Sequence, residues 1–245
     1  VLRSFAGGTL FGEQVGEAKP EVIALHGWQR SSKDYDEVLA LLKGHSALAL
    51  DLPGFGNSPA PPEPWGTAEY AASLLPVLDE VADRPVVVGH SFGALVALRL
   101  GVAHPEKVRA LVLTGAPFFR PDGAQKPART YRLMRRLARA GVVSDARLEQ
   151  MRKRHGSTDY RQSSGVMRDV LVRRLNESYE DDVKRVSVPV QLVWGELDSA
   201  APLEVAQRAL VMMPHASLTV IEGIGHLVPT ERPAELAQAI EAALG

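Results

Sequence analysis

Apolar residues follow two alternating patterns along most of this chain. Short unbroken runs, Val22-Ile23-Ala24-Leu25, Ser46 to Leu50, Pro85 to Val88, Val108 to Thr114 and Pro189 to Trp194, read as strands buried on both faces. Between them lie stretches with helical spacing. In 34–43, Tyr35, Val38, Leu39 and Leu42 share one face and Gly44 is the stop. Thr67 is read as capping a helix to about Val81 that Pro76 kinks, and a helix starts at Ala94 and ends near His104-Pro105. Further on come a helix from Leu203 to Met213, a strand from Ser217 to Glu222 and a helix from Pro233 to Leu244. At the front, residues 2–15 predict a hairpin turning at Gly7-Gly8, a dipeptide suited to a two-residue turn. Buried strands alternating with helices predict an α/β fold, a mostly parallel central sheet with helices on both faces.

The alternation breaks at Pro117. About seventy residues follow with no strand pattern. Segments 128–140, 144–155 and 164–176 have helical spacing instead, separated by Gly141, Gly156 and polar turns. The expected organisation is therefore a core made of 1–116 and 187–245 with an all-helical insertion at 117–186.

Composition narrows the class. A chain of 245 residues with 45% apolar and 23% charged residues is ordinary globular protein. The lack of cysteine removes disulfides, thiolate metal sites and a cysteine nucleophile. No apolar run reaches the length of a membrane span, and the first residues carry no signal pattern, so a cytoplasmic protein is expected. The net charge of −1 hides a segregation. Residues 117–186 hold 17 Lys/Arg against 9 Asp/Glu, while the rest of the chain holds 11 against 20.

One stretch carries chemistry. Gly89-His90-Ser91-Phe92-Gly93 is a G-x-S-x-G sequence lying between a buried strand and a helix. A serine there sits on a sharp turn at a helix N-terminus, and side chains at 89 and 93 would collide with neighbouring elements. A serine hydroxyl needs a base, and the base an orienting acid, each supplied after a later strand. Asp198 lies in the loop beyond the strand ending at Trp194. Its neighbour Glu196 lies closer to that strand and reads as solvated. His226 follows the last strand behind Gly225. His45, His104, His155 and His215 lie at helix ends or in loops without partners. The reading is Ser91 as nucleophile, His226 as general base and then acid, and Asp198 as the group that orients it. An oxyanion formed at Ser91 needs two N–H donors, here Phe92 and, from the loop after the strand 22–25, Trp28.

These residues carry a resemblance. His26-Gly27-Trp28, Asp51 to Ser58, the elbow at 89–93, Gly195 to Asp198 and Gly225-His226 resemble the α/β-hydrolase superfamily over nearly the whole chain. The resemblance implies the α/β-hydrolase fold, a structural role for Asp51, and a lid formed by the insertion at 117–186. A serine at 91 argues against haloalkane dehalogenases and epoxide hydrolases of this fold, which use an aspartate. The elbow resembles type II thioesterases. The loops at 26–28 and 51–58 look more like carboxylesterases that include the pimeloyl-carrier-protein methyl ester esterases. Serine C–C bond hydrolases and cofactor-free perhydrolases share the layout.

The expected function is thus a serine carboxylesterase acting on small esters without a cofactor or metal. C–C bond, thioester or methyl ester hydrolysis on the same triad is the alternative, and a non-catalytic ligand receptor is the alternative of another class. Within the insertion, Phe118, Phe119, Tyr131, Met134, Met167, Val170 and Leu171 are expected to line or roof the substrate pocket; the bland alternative is packing between helices. Leu133, Met134 and Leu137 fall on one side of their helix and Arg132, Arg135, Arg136 and Arg139 mainly on the other. This is either a solvated face or a docking surface for an anionic carrier, an acyl carrier protein or CoA. The acidic body and the lack of interleaved aromatics argue against nucleic acid.

Overall fold

The computed structural model describes residues 1–119 and 158–245. Eight strands form one sheet: β1 (Leu2–Phe5), β2 (Leu10–Val15), β3 (Val22–Leu25), β4 (Ala47–Asp51), β5 (Val86–His90), β6 (Ala110–Thr114), β7 (Val190–Gly195) and β8 (Ala216–Ile221). Their order is β1-β2-β4-β3-β5-β6-β7-β8. The first hairpin is antiparallel, as is its junction with β4, and every pairing from β4 onward is parallel. The helices of the described residues are α1 (Asp36–Leu41), α2 (Thr67–Ser73), α3 (Leu75–Val81), α4 (Phe92–Ala103), α5 (Thr158–Gln162), α6 (Gly165–Asn176), α7 (Glu180–Arg185), α8 (Leu203–Met212), α9 (Val228–Glu231) and α10 (Pro233–Leu244).

Strands β3 to β6 are buried at every position and read as nearly unbroken apolar runs because both sheet faces are covered there. Val22, Ala24, Val86, Val88, Ala110 and Val112 pack on one side with residues of α1 and α10. Ile23, Leu25, Val87, Leu111 and Leu113 point to the other, against α4. Helix α4 is buried nearly all round, from Phe92 to Leu98 and again at Leu100 and Gly101. It has no polar face to show, which is why its sequence is almost wholly aliphatic.

The structure refines several sequence expectations. The hairpin does not close with a two-residue turn. Phe5 pairs with Leu10, and a 3₁₀ turn at Ala6–Gly8 fills the gap with Gly7 and Gly8 at positive φ. The helix expected at 67–81 is broken into α2 and α3 at Leu74, with Pro76 in the first turn of α3, where a missing N–H costs nothing. Thr67 is not its cap. Gly66 holds that position, and its N–H donates to the Glu69 carboxylate at 3.0 Å. The Thr67 N–H is satisfied from far along the chain, by Glu177 at 3.1 Å. No periodicity within 67–81 could have revealed that partner.

Of the helices expected between β6 and β7, the one at 164–176 is present as α6. Those at 128–140 and 144–155 lie outside the described residues. Helices α5 and α7 are too short to have been read from periodicity. Among the described residues no helix is long and apolar enough to cross a membrane.

Candidate active site

Ser91 is the single residue between β5 and α4. Its φ of 50° and ψ of −108° are strained for a residue with a β-carbon. The neighbouring glycines make room for that geometry. A β-carbon on Gly89 would lie 2.5 Å from the Ala94 Cα, and one on Gly93 would meet the Leu25 and His26 carbonyls at the end of β3. The Ser91 N–H donates to the Thr114 carbonyl at 2.8 Å, tying the turn to β6. The Phe92 N–H opens α4 and so has no intrahelical acceptor.

Asp198 and His226 come from separate loops that the backbone knits together. The Leu197 N–H donates to the Ile224 carbonyl at 2.8 Å and the Glu196 N–H to Ile221 at 2.9 Å. A β-carbon on Gly195 would run into the Ile224 and Gly225 carbonyls, so the close approach of the loops needs glycine there. Asp198 is only 4% exposed. Its Oδ1 accepts the Ala200 and Ala201 N–H groups at 2.9 and 2.8 Å, and its Oδ2 lies 2.8 Å from His226 Nδ1. One oxygen of this aspartate thus holds its own turn while the other faces His226. Glu196 is exposed and accepts the Gly223 N–H at 3.1 Å.

The His226 ring packs against Gly115, whose hypothetical β-carbon would lie 2.8 Å from Cε1, and against the His90 ring at a centroid distance of 4.7 Å. His90 is fully buried, and burial together with the neighbouring His226 holds its pKa well below the usual imidazole range. Ser91 and His226 line one cavity of about 790 Å³, and no hydrogen bond joins them. Such bonds commonly tighten only when substrate arrives.

The loop after β3 reaches the same cavity through Gly27, Trp28 and Gln29, with Gln29 at φ 56°. His26 staples it from below. Its Nδ1 lies 2.7 Å from the Gly27 carbonyl while Nε2 accepts the Leu52 N–H at 3.0 Å, which fixes the ring as the neutral tautomer with the proton on Nδ1. Burial lowers its pKa in keeping with that. The Trp28 ring meets Phe55 and Phe92 edge-on at 4.9 and 5.3 Å. Asp51 lies beneath and is fully buried. Its carboxylate accepts the Ser32 and Asn57 N–H groups at 2.7 and 2.8 Å. Burial alone would raise its pKa, and these bonds outweigh that and lower it.

The expected pocket residues fare unevenly. Phe119 lines the cavity. Phe118 does not; it is buried against Trp194 at a centroid distance of 6.2 Å. Val170 and Leu171 are buried off the cavity wall because they are the apolar stripe that seats α6. Met167 packs over Gly54 and is also absent from the wall. Tyr131 and Met134 lie outside the described residues, as do Arg132, Arg135, Arg136 and Arg139. His45 and His104, read as lacking partners, pair with Glu21 at 2.9 Å and Glu106 at 3.4 Å on the surface.

Sequence reasoning missed Arg174, which lines the cavity. A signal existed. Arg174 lies four residues after Val170 and three after Leu171, on the inward face of α6. Among the described residues no cluster of three or more His, Asp or Glu could hold a metal ion.

Comparison with known proteins agrees with this architecture. The model of the alpha/beta hydrolase family matches residues 22–239. The chain is 28% identical over 232 residues to the uncharacterised hydrolase YugF of Bacillus subtilis (strain 168), covering 86% of this chain and 85% of that one. It is 25% identical over 248 residues to the pimeloyl-[acyl-carrier protein] methyl ester esterase of Salmonella newport (strain SL254), covering 92% and 94%. Among solved structures, a hydrolase from Pseudomonas aeruginosa PA01 superposes with a TM-score of 0.74 at 20% identity, covering 100% of this chain and 98% of that one.

Proposed function

This chain belongs to the alpha/beta hydrolase family, and we propose that it is a serine carboxylesterase working through an acyl-enzyme. The observation that carries the reading is the Asp198–His226 bond of 2.8 Å, set on the wall of a cavity whose floor holds the strained Ser91. A residue in such a conformation costs of order 1–3 kcal/mol, about the strain that persists at functional positions.

In this scheme Ser91 Oγ attacks the ester carbonyl carbon as its proton passes to His226 Nε2. Asp198 Oδ2 accepts the Nδ1 proton and stabilises the imidazolium. The carbonyl oxygen, now negative, is held by the Phe92 and Trp28 N–H groups, the first reinforced by the N-terminus of α4. His226 then hands its proton to the departing alkoxide, leaving the acyl group on Ser91. Water, deprotonated by His226, attacks the acyl carbon and releases acid and free serine. The insertion at 117–186 is read as a lid, and its described part is tied to the core by the Glu177–Thr67 bonds.

A second reading keeps the triad and changes the substrate to a carrier-bound methyl ester or thioester. The excess of Lys and Arg in 117–186 favours it, as does the likeness to an esterase whose name specifies a carrier-protein ester. Ser91→Ala, assayed over a series of p-nitrophenyl esters of increasing chain length, tests the main reading. Turnover is expected to fall by about 10⁶; activity equal to that of the parent overturns it.

A further inference from the structure

Among the described residues three arginines reach the cavity wall, Arg30, Arg174 and Arg208. Two are engaged. Arg30 pairs with Asp34 at 2.8 Å. Arg208 lies over the Phe119 ring at 4.0 Å and reaches Glu180 at 3.4 Å. Arg174 differs. Its Nε is buried and has no hydrogen-bond partner, and no carboxylate among the described residues forms an ion pair with it. Its guanidinium carbon lies 5.9 Å from the Trp28 ring centroid, so the charge leans on an aromatic face. Burial pulls its pKa below the usual guanidinium value, with Tyr179, Asp159 and Glu177 opposing. Neither acid neutralises it. The Glu177 oxygens are taken by the Thr67 N–H, the Thr67 hydroxyl and the Tyr179 hydroxyl. Asp159 lines the same cavity, and no ion pair joins it to the guanidinium.

Arg174 is partly buried, its Nε wholly so, and leaving such a donor unpaired is costly when α6 has polar faces where an arginine could sit at no cost. Arg173, one residue earlier, does so, donating to the Pro64 carbonyl at 2.6 Å. Beside Arg174 the cavity wall offers Trp28, Phe119, Leu175, Val205 and Leu227, apolar surface next to the guanidinium.

Building on the esterase reading, we propose that Arg174 is a specificity-determining residue that binds a carboxylate carried by the substrate, so that the ester cleaved is a half-ester of a dicarboxylic acid. The carboxylate docks on the guanidinium fork, which suits it geometrically, while the ester end lies at Ser91.

The test compares monomethyl half-esters of dicarboxylic acids with methyl alkanoates of equal length in parent, Arg174→Gln and Arg174→Lys enzymes. A further arm uses acetate esters of hydroxy acids, which put the carboxylate on the alcohol side. The parent is expected to prefer the half-ester. In Arg174→Gln the ratio of the two kcat/KM values falls about ten- to a hundredfold, the effect of losing one charged hydrogen-bonded pair, mainly through KM. Arg174→Lys restores part of the ratio. A thermal melt shows that the variants fold, and titration of the half-ester into Ser91→Ala, with and without Arg174→Gln, reads binding without turnover. A parent that ignores the carboxylate, a preference only for the alcohol-side acid, or a ratio unchanged in Arg174→Gln overturns the proposal. Each leaves the Ser91 reading standing, because that reading is tested separately, by the activity of Ser91→Ala.

Discussion

The strand tops and the helices of the insertion are held in place by different kinds of bond. At the strand tops the backbone does most of the positioning: Ser91 N–H to Thr114, Leu197 to Ile224 and Glu196 to Ile221. Helices α6 and α7 are tied to the core largely by side chains: Glu177 to Thr67, Arg173 to Glu69 and Arg99 to Asp182 at 2.6 Å. Backbone bonds survive almost any substitution, whereas side-chain ties are lost with one. The proposed chemistry thus rests on the part of the chain most resistant to sequence change, and the proposed specificity on the part that changes most readily.

That contrast can be broken by experiment. The largest effect is expected at the strand tops. Asp198→Asn keeps the Oδ1 bonds but removes the acceptor that orients His226, and kcat on a neutral ester is expected to fall about 10⁴-fold with little loss of stability. A drop below tenfold places the acid elsewhere. A smaller effect, of the opposite kind, is expected on the insertion side. Glu177→Ala strips the Thr67 N–H and hydroxyl and the Tyr179 hydroxyl of a shared acceptor and should cost about 1–3 kcal/mol in urea unfolding. Its kcat on a short ester is expected to stay within about twofold. Equal damage to kcat would erase the distinction between the two regions.

A third effect, on stability alone, is in pH dependence. His26 and His90 are held neutral by burial, with pKa values below the ordinary 6.5. Below that pH the unfolded chain takes up protons that the folded one refuses. Stability is therefore complete above about pH 6.5 and falls on acidification, by up to ~1.4 kcal/mol per pH unit for each histidine. Urea midpoints from pH 7.5 to 5.5 should show this loss, and His90→Gln should make it shallower. A stability that rises on acidification contradicts it.

The same contrast explains what could be read from the sequence. The centre of the sheet was legible because β3 to β6 are nearly unbroken apolar runs, and the elbow because glycine is the only residue that fits at 89 and 93. Asp198 and His226 were legible because each follows a strand. Arg174 was not. It stands among other basic residues of 117–186, and only the buried Val170 and Leu171 tell its face from that of Arg173. Glu177 was hidden for a different reason: its partner Thr67 is 110 positions away, beyond any local pattern. Val170, Leu171 and Phe118 show the converse error, since an apolar residue near a pocket is more often what seats the helix than what touches a ligand.

Everything proposed for the site depends on Ser91 being an activated nucleophile. Treating the protein with a fluorophosphonate and mapping the adduct by mass spectrometry tests it directly. The account predicts one adduct, on Ser91, formed rapidly in the parent and strongly slowed in Asp198→Asn. A protein that stays unlabelled at Ser91, or is labelled equally fast in both, contradicts it.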